Sequence, residues 1–260
     1  MLFYFTATGN SLYVAKQLDS EIVSIPQELN KMNRQYRAEK IGVVCPVFGH
    51  EMPEAVKRFL ATSKFVCDYF YLVLTYGFHH GGAAELTQGF LRGIGLQADY
   101  INTIIMVDNA IPAFDIEQQL NIDPEKKVDE HIEIIKYDVA SRKHYVQAAT
   151  EADKEQHRAY LALPVKIEAA EDKPLYNVTD NCIGCGICAK VCPMGCITVV
   201  DKKAEYDYKN CTTCLACIHA CPQFAIKFTT LPEKNPKVHY RNEHISLAEI
   251  IMANQINNMV

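Results

Sequence analysis

Eight of the eleven cysteines form two runs of identical spacing within residues 182 to 221. The first run is Cys182, Cys185, Cys188 and Cys192, followed by Pro193. The second is Cys211, Cys214, Cys217 and Cys221, followed by Pro222. Each reads C-x2-C-x2-C-x3-C-P. A cubane iron-sulfur cluster needs four thiolates at tetrahedral corners, and a tight loop of this spacing supplies three of them. The loop must wrap closely round the cubane, which favours small residues such as Gly184, Gly186 and Ala216. A fourth thiolate from the same turn would be strained, so it is expected from the other run. Zinc knuckles pair C-x2-C units across a wider gap, and disulfide frameworks suit short secreted chains. Two 4Fe-4S clusters are therefore the expected cofactors.

The pattern resembles the ligand run of bacterial two-cluster ferredoxins, whose fourth cysteine serves the other cluster. The resemblance implies one ligand set of Cys182, Cys185, Cys188 and Cys221, and a second of Cys211, Cys214, Cys217 and Cys192. It also implies a small α+β domain over residues 174–230, opening after Lys173-Pro174. Three cysteines remain: Cys45 and Cys67 beside apolar strands, and Cys196 on the turn after the first run. Buried packing is the expectation for all three, since free cysteine behaves as a small hydrophobe.

With 260 residues, 49% of them hydrophobic, the chain can hold a full core plus a smaller module. A net charge of −5 argues against nucleic acid as a partner. No apolar run approaches the length of a membrane span. Met1 leads directly into Leu2-Phe3-Tyr4-Phe5, which reads as a strand and not as a leader. A cytoplasmic, reducing setting is expected, where cluster thiolates survive.

Residues 1–110 alternate short apolar runs with amphipathic segments of helical length. Strands are predicted over 2–5, 21–25, 41–46, 69–75 and 99–107, and helices over 10–19, 53–62 and 82–95. The polar stretch 26–38 reads as a short or irregular crossover. Such alternation predicts a doubly wound parallel sheet, with ligands bound beyond the carboxyl ends of its strands. At the first such end stands Thr6-Ala7-Thr8-Gly9-Asn10-Ser11, between a strand and a helix. Three hydroxyls and an amide, with no lysine or arginine, suit a phosphate monoester held by neutral donors and a helix N-terminus. The Gly-Lys-Ser/Thr of a P-loop is absent, and an ordinary N-cap uses the same residue types.

Three more loops share that edge. They contain Pro46-Val47-Phe48-Gly49-His50, then Thr75-Tyr76-Gly77-Phe78-His79-His80-Gly81-Gly82, then Asp108-Asn109-Ala110. The layout resembles flavodoxin over residues 1 to about 110, with the first loop close to that family's Ser/Thr-x-Thr-Gly-Asn-Thr signature. The resemblance implies FMN, its phosphate in loop 6–11 and its ring between the later loops. Phe48, Tyr76 and Phe78 are stacking candidates and equally candidates for the core. Backbone N–H groups from Tyr76 to Gly82 would face the pyrimidine edge, and Gly49 would offer its carbonyl to N5. Related sequences often carry tyrosine where this chain has Ala110.

From Asp123-Pro124 the sequence predicts a closing helix with Val128, Ile132, Ile135 and Val139 on one face. It is expected to run on through 141–163 as a polar arm, completing a first domain of 1–163. The tail, 231–260, holds Tyr240-Arg241-Asn242 and a capping box at Ser246 and Glu249. The helix it opens would dock through Ile250, Ile251 and Ile256. Within 180–228, four acidic residues face five basic ones, unlike the acidic surface that steers free ferredoxins. That balance fits a module whose main partner is in the same chain.

Together these features resemble the flavodoxin-ferredoxin fusion proteins, found largely among anaerobes. The resemblance implies electron transfer between FMN and two 4Fe-4S clusters, with a redox partner protein as donor or acceptor. Two alternatives stay open: a flavin-dependent reductase of quinones or nitro compounds, with His79 or His80 as proton donor, and a flavin-free platform for assembly or sensing. Direct use of a dinucleotide is not expected, since Gly93-Ile94-Gly95 falls late in a helical segment.

Overall fold

The computed structural model describes residues 1–163, 174–229 and 231–255. Six parallel strands form the main sheet: β1 Leu2–Tyr4, β2 Ile22–Ser24, β3 Lys40–Pro46, β4 Tyr69–Tyr76, β5 Tyr100–Ile105 and β6 Tyr145–Val146. Their order is β2-β1-β3-β4-β5-β6. The first five repeat the 2-1-3-4-5 order of flavodoxin-like folds, with the reversal of winding at β1 and β3.

Alternation along each strand separates two cores, because successive side chains point to opposite faces. Leu2, Tyr4, Val44, Tyr71 and Val73 face one side, under helices Asn10–Leu18 and Val128–Ala140. Phe3, Phe5, Val43, Leu72 and Leu74 face the other, under Glu54–Thr62 and Ala83–Gly93. Ile132, Ile135 and Val139 are buried on the first face, as the periodicity predicts. Below the second face, Gln35–Arg37 pairs with Lys64–Val66 as a small parallel ribbon. Part of the irregular crossover is therefore a strand.

The expected continuous arm is broken. Val128–Ala140 stops at Ser141, and Arg142 takes a left-handed turn at φ 54°. Tyr145–Val146 then joins the sheet edge, hydrogen-bonding through Tyr145 N to Asp99 O. A separate helix, Glu151–Leu161, starts at a capping box formed by Thr150 and Asp153. Polar periodicity is the same in one helix or two, whereas the capping box marks the true start. Asp123 also does not cap the closing helix: Asp123–Lys126 is a 3-10 turn, and Lys127 at φ 49° precedes Val128.

The second module contains two short hairpins, Ile197–Val200 with Lys203–Tyr206 and Tyr176–Val178 with Ile226–Phe228, both antiparallel. Helices Ile187–Val191 and Ala216–His219 complete it. The tail helix Leu247–Asn254 opens at the Ser246/Glu249 box. Ile250 and Ala253 are buried in the first face's core, beside Val191, Cys214 and Ala216 of the cysteine module. Ile251 is partly buried there, and Ile256 lies outside the described residues. No described helix is long and apolar enough to cross a membrane.

Candidate functional site

The two cysteine runs fold as one repeated motif. Cys182, Cys185, Cys188 and Cys221 line one cavity, with Ile183, Val199 and Ile226 round it. Cys192, Cys211, Cys214 and Cys217 line a second, with Tyr206 and Leu215. All eleven cysteines are free thiols. Among the described residues, no three His, Cys, Asp or Glu side chains converge on a single-ion site. The sulfurs surround a volume, as a cubane requires and a lone zinc does not.

Backbone geometry explains how each loop wraps its cavity. Gly184 and Gly186 take φ of 66° and 72°, and a Cβ on Gly184 would lie 2.7 Å from the Lys202 Cα. The second run makes the same turns with Thr213 and Leu215 at φ 53° and 64°. A side chain there costs about 1–2 kcal/mol, so that loop depends on its surroundings to hold it. Equivalent backbone N–H groups reach sulfur in both halves: Cys196 N donates to Cys192 Sγ, and Ala225 N to Cys221 Sγ, each at 3.3 Å.

Cys196 is buried, as a packing role requires, but its thiol also lies within hydrogen-bonding reach of Cys192 and Cys211. That thiol, aided by N–H groups of residues 194 to 196, pulls the Cys192 pKa below its usual value. Only the comparison of 192–197 with 221–226 hints at this in the sequence, since alanine stands at the matching place.

At the carboxyl edge of the sheet, loop 6–11 meets the loops after β4 and β5. Ser11 Oγ and Thr75 Oγ1 are 2.8 Å apart, and Asn109 Nδ2 donates to Thr8 Oγ1 at 2.9 Å. Asn10 Nδ2 donates to Val107 O at 3.0 Å, while Val47 N donates to Thr75 O at 2.8 Å. Phe48 and Glu51 close a tight turn whose central residues, Gly49 and His50, have φ of 57° and 73°. Gly81 abuts the His50 ring, and Gly77 abuts Asp108. Burial of Asp108 raises its carboxyl above the usual range.

Loop 6–11 fits a phosphate on two counts. Among the described residues, no acceptor meets the backbone N–H groups of residues 8 to 12. The hydroxyl of Thr6, 1% exposed, also has no partner. Unpaired buried donors are rare unless a ligand completes them. Thr8 Oγ1 accepts from Asn109 and keeps its own O–H free to donate.

Helix Glu151–Leu161 folds back over the later loops. His157 and Tyr160 lie against His50 with ring centroids 5.5 and 5.0 Å away, and Asp153 Oδ1 is 3.3 Å from His80 Nε2. The Tyr160 ring packs on Gly49, and Ala149 on Gly82. Phe78 stays outside this cover, 52% exposed and packed on Phe114, while Phe48 leans edge-on towards Phe5 at 6.5 Å.

The cysteine module is pinned to this edge. His219 Nε2 donates to Asn109 O at 2.8 Å, and its Nδ1 accepts from Tyr240 N at 3.0 Å. Tyr240 Oη donates to Asn10 Oδ1 at 2.5 Å, and Asn242 N to Thr8 O at 2.9 Å. Asn254 Nδ2 bridges Thr6 O at 3.1 Å and Val191 O at 2.9 Å.

Residues 174–222 match the family model of the 4Fe-4S dicluster domain. Over 47 residues, 18% of each chain, the protein is 52% identical to a subunit of the ion-translocating oxidoreductase complex of Methanosarcina acetivorans. Over 48 residues it is 48% identical to the pyruvate synthase subunit PorD of Methanothermobacter marburgensis, covering 18% of this chain and 56% of that one. The chain thus spans between 18% and 56% of the length of these two relatives. Among solved structures, rubredoxin oxygen:oxidoreductase from Desulfovibrio gigas overlaps with a TM-score of 0.31 at 12% identity, covering 51% of this chain and 35% of that one. So slight an overlap carries no argument about function.

Strand order and dicluster motif define a protein of two modules, one of them of the iron-sulfur dicluster type. The chain joins a doubly wound parallel sheet of 2-1-3-4-5 order to a 4Fe-4S dicluster domain.

Proposed function

We propose that the protein transfers electrons between two 4Fe-4S clusters and FMN, and exchanges them with a partner protein. Cys182, Cys185, Cys188 and Cys221 hold one cluster, and Cys192, Cys211, Cys214 and Cys217 the other. The reading rests on one observation above all: the eight sulfurs divide four and four between two separate cavities. Clusters exchange single electrons and FMN exchanges one or two, so together they couple a one-electron wire to a two-electron store.

The chain's own residues bind and position these groups. Loop 6–11 takes the phosphate through its unpaired N–H groups and the Thr6 and Thr8 hydroxyls. Pro46, Val47, Phe48, Gly49, Thr75, Tyr76, Gly77, Gly81 and Gly82 border the ring, and Asn109 ties that side to Thr8. N–H groups on Cys192 and Cys221 stabilise negative charge at sulfur, one of the levers that set cluster potential.

An electron carrier is favoured over a small-molecule reductase because Tyr160, His157 and Asp153 lie over Gly49, His50 and His80. The two archaeal relatives are each subunits of larger assemblies, in keeping with a protein partner. Purification without oxygen, followed by iron and FMN assays, tests the reading. One FMN with about eight irons per chain is expected. Iron without FMN, even after FMN is added, would remove the flavin from the scheme, and zinc in place of iron would overturn it.

A further inference from the structure

Between the modules lies a cleft of about 420 Å³. One wall belongs to the sheet module: Asn30 and Arg34 after the second strand, and Arg58 and Thr62 from helix Glu54–Thr62. Met194 and Asn210 of the cysteine module form the other. The lining includes two guanidinium groups and no carboxylate. Among the described residues, neither arginine has an acidic partner within ion-pair distance, whereas Lys57 and Lys31 nearby are paired with Glu51 and Glu28.

Arg34 is held rigidly. Its Nη1 donates to Leu29 O at 3.0 Å and to Lys31 O at 2.6 Å, and its Nη2 to Thr62 Oγ1 at 2.8 Å. Its Nε–H is buried and finds no acceptor among the described residues. Arg58 stands exposed one turn before Thr62, whose hydroxyl donates to Arg58 O at 2.6 Å. A fixed guanidinium beside a free one, with neutral amides and a hydroxyl nearby, is the chemistry that recognises carboxylates and phosphates. The volume falls within the range of small-ligand sites.

We propose that this cleft binds a small oxyanion, a carboxylate or a phosphate, and that the bound anion sets the potential of the second cluster. The second half rests on the cluster assignment above. Met194 lies two residues beyond Cys192, and Asn210 directly precedes Cys211, so the cleft borders two of that cluster's ligands. With the cleft empty, the arginines favour the extra negative charge of the reduced cluster. An anion offsets them and therefore binds the oxidised protein more tightly, by reciprocal linkage. The first cavity shares no lining residue with this cleft and is expected to be insensitive.

The test is a redox titration of the full-length iron-loaded protein, followed by EPR, in chloride and then in inorganic phosphate at equal ionic strength. A third arm replaces phosphate with succinate. Tenfold tighter binding to the oxidised form appears as a downward shift of about 59 mV in one midpoint and none in the other. Phosphate or succinate alone giving the shift identifies the source of the anion. Arg58→Gln, at an exposed position, is expected to abolish the shift while keeping both EPR signals, and Arg58→Lys to restore part of it. No shift with either anion, equal shifts of both clusters, or a shift kept in Arg58→Gln would each overturn the proposal. Iron content, measured first, reports separately on the cluster assignment. If iron is absent, calorimetry with phosphate decides whether the cleft binds: heat lost in Arg58→Gln supports the site, and no heat in the parent protein sinks it.

Discussion

The imidazole of His219 donates through Nε2 to the backbone oxygen of Asn109, 2.8 Å away and 110 residues earlier in the chain. Its other nitrogen accepts from Tyr240 N, so one side chain joins the cysteine module, the sheet edge and the tail. Two residues on either side of it stand Cys217 and Cys221, one from each cavity. The cysteine module and the tail are thereby fastened to the sheet edge at one side chain.

Replacing that ring tests the pin. His219→Leu leaves a buried carbonyl and a buried N–H without partners, at a cost on the order of 3 kcal/mol. Urea unfolding under anaerobic conditions should show a lower midpoint. A variant as stable as the parent would mean that the His219 hydrogen bonds add nothing to what the remaining contacts between the modules supply.

Gly9 is the second mechanical point. Its φ of 106° suits glycine, and a Cβ there would lie 2.9 Å from Asn242 Cβ in the tail. Gly9→Ala is therefore expected to cost about 2 kcal/mol and to loosen the tail. Faster proteolytic cleavage between residues 238 and 246 in the variant is the readout, and unchanged protection would count against the contact.

Cys196 offers a cleaner probe of the second cluster. Cys196→Ala should keep the iron content, because four other cysteines line that cavity. Loss of the S–H donor removes about 1 kcal/mol of stabilisation from the reduced state, roughly 40 mV downward for one electron. Loss of half the iron would instead make Cys196 a ligand.

A pH prediction comes from His50. Burial, then the neighbouring His157, push its pKa down from 6.5 to about 4. The unfolded chain takes up this proton below pH 6.5, while the folded protein resists until about 4. Stability is thus full above 6.5 and falls as pH drops through that window. His50→Gln should flatten this part of the urea-midpoint profile, and a profile of unchanged slope would assign the acid loss to other groups.

Much of the molecule can be read from local pattern. Alternation in 2–5, 41–46 and 69–75 places each strand residue on its face, and the helices expected from 10, 53 and 82 begin within about one residue of those positions. The tail's capping box and the apolar face of the closing helix are equally local. Helix Glu151–Leu161 was legible only through Thr150 and Asp153, because its polar composition gives no sign of the loops it covers.

By itself the sequence determined the parallel α/β sheet, the strand-to-helix turn at 6–11 and the two cysteine runs. Each depends on spacings of two to four residues, which covalent geometry converts directly into shared faces and tight turns. Tertiary structure alone decided the His219–Asn109 pin, the Asn254 bridge, the Tyr160 cover on Gly49 and the Arg34–Arg58 cleft. Those contacts join segments separated in the chain, through single polar or aromatic side chains that have no periodicity. Their partners are selected by the packing of two finished modules, and no short-range pattern encodes that.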